Sequence, residues 1–91
     1  MSEMKEMCGR QQLLVLTMEE CGELIQACSK ALRKQNLFEY QNLKDEIGDV
    51  MCMLELMQDW DVVSYTEIEE RVSTKRAKLA QWSELLSLIH I

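Results

Sequence analysis

Ninety-one residues, 47% of them apolar, make a single domain spanning 1–91. Folding alone, a chain of this size buries only about 60–65% of its unfolded surface. Ten Lys and Arg against 16 Asp and Glu give a net charge of -6, which argues against a nucleic-acid polymer or an anionic membrane as partner. No apolar run reaches the roughly 20 residues needed to span a bilayer.

No Pro, three Gly and many Leu, Met, Glu, Gln and Lys favour helices over sheet. The expected fold is all-α: an antiparallel bundle of three main helices with a possible short fourth, completed by oligomerisation. Residues 1–10 form a loose or short helical lead-in ended by Gly9. The first helix covers about residues 11–34, with an apolar stripe Leu14, Met18, Cys21, Ile25, Cys28 and Leu32 spaced 4-3-4-3-4. Lys30, Arg33 and Lys34 suit the negative end of its dipole.

A polar connector at 35–39 leads to a second helix over about 40–59, striped by Tyr40, Leu43, Ile47, Val50 or Met51, and Leu54. Its shortness makes the two helices antiparallel neighbours. The third start is marked by a capping box, Ser64 with Glu67, and by Val63 and Ile68 at the staple positions. From there Ile68, Val72, Lys75, Leu79, Trp82, Leu86 and Ile89 form a stripe interrupted by one cation. The helix either runs to the C-terminus or breaks near Ser83.

Cys8, Cys21, Cys28 and Cys52 form no C-x-x-C pair and the only His, His90, is penultimate, which argues against a Cys/His zinc site. Cys21, Cys28 and Cys52 lie in apolar helical patterns with no signal peptide legible. The expectation is reduced, buried thiols in a cytoplasmic protein.

On a wheel of about 100° per residue, Glu20 falls between Leu24 and Ala27 on an apolar arc, with Glu23 beside Leu16. Glu46 sits likewise between Met53 and Met57, with Asp49 beside Leu56 and Trp60. The segments 19–24 and 45–50 both read acid, Glu, aliphatic or thiol, Gly, acid, aliphatic, a short internal repeat. Gly22 and Gly48 lie mid-helix, where Gly costs about 1 kcal/mol relative to Ala; they either permit a close backbone approach, between these helices or across a subunit contact, or are merely tolerated.

Four carboxylates converging on a partly apolar face must be either solvated or neutralised by a cation. An all-oxygen site selects a hard ion, Mg²⁺ or Mn²⁺. The Glu-x-x-His of di-iron bundles is missing. Lys75, with Lys78 nearby, either faces the phosphates of a metal-bound nucleotide or lays its methylenes on the surface with its ammonium in water.

Glu19-Glu20-x-x-Glu23 followed on the next helix by Glu46-x-x-Asp49, with a basic third helix, resembles the MazG-like family of all-α nucleoside triphosphate pyrophosphohydrolases over roughly residues 11–80. The resemblance implies Glu20, Glu23, Glu46 and Asp49 as Mg²⁺ ligands, with Mn²⁺ able to substitute, and Glu19 as an acid that orients or deprotonates the attacking water. It implies phosphate contacts from Lys75 and Lys78, although Leu79 stands where the family often has Arg. The implied reaction splits the α–β bond of a nucleoside or deoxynucleoside triphosphate, giving the monophosphate and pyrophosphate. Trp60, Met53 and Met57 are candidates to stack on the base.

Size and the two apolar arcs on each helix further imply a homodimer or homotetramer with sites near subunit interfaces. The competing expectation is a non-catalytic helical interaction or dimerisation module whose acids form a solvated face.

Overall fold

In the computed structural model of the chain, residues 8–82 are described, and among them the secondary structure is three helices: α1, Gly9–Lys34; α2, Leu37–Asp59; and α3, Tyr65–Trp82. The 1–7 part of the lead-in, the choice at Ser83, His90 and the stripe positions Leu86 and Ile89 lie outside the described residues.

α1 begins two residues earlier than the apolar pattern suggests. Gln11 folds back so that its Oε1 accepts from the Cys8 N–H at 3.0 Å, satisfying a donor at the helix start. Gly9 is therefore the first helical residue and does not end the lead-in. A side chain there would run into the Trp60 ring at the end of α2, so glycine admits the indole against the start of α1. The Arg10 guanidinium strengthens this junction by donating to the carbonyls of Trp60 and Asp61, each at 3.4 Å.

At the other end, Gln35 takes a left-handed conformation, φ 48°, and donates its backbone N–H to Ala31 O at 2.9 Å. Asn36 then caps α2: its Oδ1 accepts from the Glu39 N–H at 2.8 Å. The connector is thus Gln35 and Asn36 alone, and α2 starts at Leu37, not near residue 40. Glu39, 5% exposed, keeps its charge balanced through Lys34 Nζ at 3.5 Å.

Gly9 against Trp60 at one end and Lys34 against Glu39 at the other make α1 and α2 an antiparallel hairpin. Its seam holds Leu13, Ala27 and Ala31 of α1 and Met53 of α2, all buried. The seam is one residue out of phase with the predicted stripes. Met18, Ile25 and Leu32 are each at least 70% exposed, and Tyr40, Ile47, Met51 and Leu54 are also exposed. Cys21, Cys28 and Cys52 are exposed as well, not buried. The seam uses small alanines to bring the backbones together, and the broader side chains a turn of about 100° away are left without a partner in the chain.

The expected close approach at Gly22 and Gly48 is likewise absent within the hairpin, since a Cβ at either would meet nothing within 4 Å. α3 starts where its capping sequence places it, with Ile68 N–H donating to Ser64 O at 3.0 Å. It contributes no buried residue and barely touches the hairpin. The radius of gyration, 16.0 Å, accordingly exceeds the roughly 12 Å of a compact domain of this length.

Candidate metal centre

Halfway along the seam, the two halves of the internal repeat meet. Glu20 and Glu46 occupy seam positions and are half-buried, while Glu23 and Asp49, three residues further on, are exposed. One carboxylate oxygen from each of the four lies within 4.8 Å of the others. Helical spacing explains the convergence: residues i and i+3 share a face, and antiparallel packing sets the two pairs side by side.

The wheel fixes which face this is. Glu23 and Asp49 each lie about 60° to one side of their seam residue, and the exposed stripes lie about 100° to the other side. In an antiparallel pair, equal rotations in the two helices turn to the same side. The hairpin therefore has a carboxylate face and, opposite it, an apolar face.

Oε2 of Glu20 and Oε2 of Glu46 are buried and accept no hydrogen bond. Burial is the main influence that raises the Glu20 carboxyl above its ordinary range, followed by the charges of Glu23 and Asp49, a hydrogen bond with Glu23, and the charge of Glu19. Glu46 is raised in the same way, by burial first, then by a hydrogen bond with Glu23 and by the charges of Glu23, Asp49 and Glu20. Each influence disfavours the ionised form, and a cation among the four oxygens would oppose them by favouring the charged carboxylates.

The remaining predicted residues are spread more widely. Glu19 is exposed beside Glu20, on the flank of the carboxylate face. Trp60 is half exposed at the C-terminal end of α2, about three turns beyond Asp49. It lines a cavity of about 190 Å³ with Leu13, Leu16, Met53 and Leu56. By their wheel angles these residues lie on or beside the carboxylate side of the seam, next to the cluster. Met57 is half-buried and is not among the cavity's lining residues.

Lys75 and Lys78 stand exposed on α3 and, among the described residues, form no ion pair. Lys75 lies not in a bundle interior but along an open groove with Ile68, Arg71, Val72 and Arg76. Leu13, Leu16 and Leu56 line the cavity without any sequence motif marking them for it. The series Leu13, Thr17, Glu20, Leu24, Ala27, Ala31, spaced 4-3-4-3-4 through the acid itself, is the signal that finds the seam.

The model of the MazG nucleotide pyrophosphohydrolase domain matches residues 9–81, the three helices almost entire. Comparison with curated proteins and with solved structures gave no match.

Proposed function

Because the chain belongs to the MazG nucleotide pyrophosphohydrolase family, we propose that it hydrolyses nucleoside or deoxynucleoside triphosphates between the α and β phosphates, with Mg²⁺ held by Glu20, Glu23, Glu46 and Asp49. The observation that supports the metal is the pair of buried oxygens without a partner, Oε2 of Glu20 and Oε2 of Glu46, inside a cluster of four carboxylates.

The donor set fits a hard ion, since every candidate ligand atom is a carboxylate oxygen and no His or Cys is among them. The 4.8 Å spread is close to the roughly 4.2 Å between opposite oxygens around one Mg²⁺. Mn²⁺ satisfies the same oxygens. When bound, the ion supplies charge neutralisation between carboxylates and phosphates and acidifies water.

The chain's own residues supply the rest. Glu19, exposed next to Glu20, accepts a hydrogen bond from the attacking water and takes its proton. Lys75 and Lys78 meet the phosphates through α3, countering a net charge that would otherwise repel the substrate. The cavity at Trp60 and Met53 receives the base against an aromatic and thioether wall. A homodimer or homotetramer completes the assembly. Free thiols and a nucleotide substrate suit a cytoplasmic location.

The test combines melting curves at millimolar Mg²⁺ or Mn²⁺ with pyrophosphate release from the eight common NTPs and dNTPs. A ligand at 100 times its dissociation constant that binds only the folded chain adds about 2.7 kcal/mol. The reading expects a rise in Tm together with release from at least one nucleotide. A flat melt and no release from any of the eight would leave the chain as a non-catalytic helical module.

A further inference from the structure

Among the described residues that line the cavity of about 190 Å³ at Trp60, one carries a side-chain amide, the half-buried Gln12. We propose that Gln12 determines the specificity of this site and selects pyrimidine nucleotides, by pairing its carboxamide with the far edge of the ring. The inference rests on the hydrolase reading above and names the substrate class for it.

Position is the first support. On α1, Gln12, Leu16, Glu19 and Glu23 are spaced 4-3-4 and form one row on the carboxylate side of the seam. On α2, Trp60, Leu56, Met53 and Asp49 repeat that spacing in the opposite direction. Antiparallel packing sets the two rows side by side, and each leads from the cavity to an acid of the cluster. Gln12 stands eight residues, about 12 Å along the axis, from Glu20, a span that a phosphate, a sugar and a base fill end to end. With the phosphates at the carboxylates, the base ends in the cavity and its far edge meets Gln12.

The stacking wall beside Gln12 is held in place. The Trp60 ring packs against Gly9, where a Cβ would strike it, and the Arg10 guanidinium donates to the Trp60 and Asp61 carbonyls at 3.4 Å each. An indole fixed through both its ring and its backbone is a preorganised surface for a base. Gln12 follows Gly9 by one turn on the same helix, so ring and amide keep a set relation. The Gln12 backbone N–H is engaged by Cys8 O at 3.0 Å, and the polar groups it brings to the cavity are those of its side chain. A carboxamide has two donors and two acceptor lone pairs, capacity for a base edge beside its interaction within the chain.

The chemistry of that amide selects the ring. It sets one donor next to one acceptor. The far edge of a pyrimidine is the complement: N3–H beside O4 in uracil and thymine, N3 beside the 4-amino group in cytosine. Turning the amide over serves either pattern. A purine has two such edges, N1 with its 6-substituent and N7 with the same substituent, and one amide serves only one of them. The other ring nitrogen, and in guanine the 2-amino group, is left against the hydrocarbon of Leu13, Leu16, Met53 and Leu56. Polar groups buried without a partner weaken binding, so the apolar walls act against purines.

The test compares the native full-length protein with Gln12→Leu, which removes the amide and keeps an unbranched start to the side chain of similar bulk. The kcat/KM for pyrophosphate release is measured for the eight common NTPs and dNTPs. Saturation-transfer NMR follows binding of uridine, cytidine, adenosine and guanosine without metal. The native chain is expected to favour the pyrimidine nucleotides over the purine ones by at least about tenfold, and Gln12→Leu to bring the two sets within about threefold, through a higher KM for the pyrimidines. A residue that only supports the helix affects all eight alike and leaves the ratio standing.

A purine preference, no preference, or a ratio that survives Gln12→Leu overturns the proposal. If that variant does not fold, Gln12→Asn, which draws the amide back by one methylene, takes its place with the same narrowing expected. If no nucleotide releases pyrophosphate, the hydrolase reading fails separately and the nucleosides decide. Stronger transfer to uridine and cytidine than to adenosine and guanosine, lost in the variant, then upholds the selection by Gln12, and equal or absent transfer overturns it.

Discussion

At Glu20 and Glu46 the chain keeps two acids where burial and neighbouring acids both oppose their charge. Structural stability alone does not account for that choice, since a half-buried acid set among other acids, with one carboxylate oxygen buried and unpartnered, destabilises the fold. Glu46→Gln removes the charge and keeps the shape. It is expected to lower turnover by at least about a hundredfold while the helical circular dichroism persists and the metal-free Tm rises. Unchanged turnover would remove Glu46 from the centre.

The same two carboxyls set a pH dependence. Their folded-state values lie above the ordinary glutamate value of 4.5, so the folded chain holds their protons more tightly than the unfolded chain does. The stability they contribute is complete below that value and is lost as pH rises through the raised ones. Without metal, the melting temperature of the native chain relative to a Glu20→Gln, Glu46→Gln double variant is expected to fall between pH 4.5 and pH 7. With saturating Mg²⁺ the trend reverses, because the ligands must be deprotonated to bind. A difference independent of pH in both series would show that burial does not govern these groups.

At the scale of the elements, the existence and order of the helices and the start of α3 could be read from the sequence. So could the pairing of the acids, because the repeat at 19–24 and 45–50 places each pair at the same phase of its helix. The choice of seam could not. Each helix carries two apolar arcs, and periodicity measures the strength of an arc without saying what covers it. The weaker arc, with Ala27 and Ala31, packs within the chain because small residues allow the closer approach.

The link between α1 and α2 is shorter than the polar connector in the sequence suggests, for a local reason. Asn36 followed three residues later by Glu39 has the form of a helix start, but the seam partner Glu39 is polar and carries no apolar signal. Asn36→Ala removes the side-chain acceptor for the Glu39 N–H and is expected to cost about 1 kcal/mol in urea unfolding, with m unchanged. No loss would mean that water satisfies that donor equally well.

For the molecule as a whole, a radius of gyration of 16.0 Å and four buried apolar residues among those described make a small core for a chain of this length. In the homo-oligomer proposed above, stability is shared between chains and depends on their concentration. Diluting the protein a hundredfold is expected to lower its Tm measurably, and a Tm constant over that range would make the single chain self-sufficient.

The two-residue link, Gln35 and Asn36, also bears on the order of folding. Loop closure costs least where the loop is shortest, so the hairpin zips outward from the Lys34–Glu39 pair, through the acid pairs, and closes last where Arg10 reaches the Trp60 and Asp61 carbonyls. Each stage adds contacts next to those already made, a low-contact-order route of the kind that runs in microseconds to milliseconds. In the homo-oligomer proposed above, subunit encounter is second order, so at low protein concentration it follows this zipping.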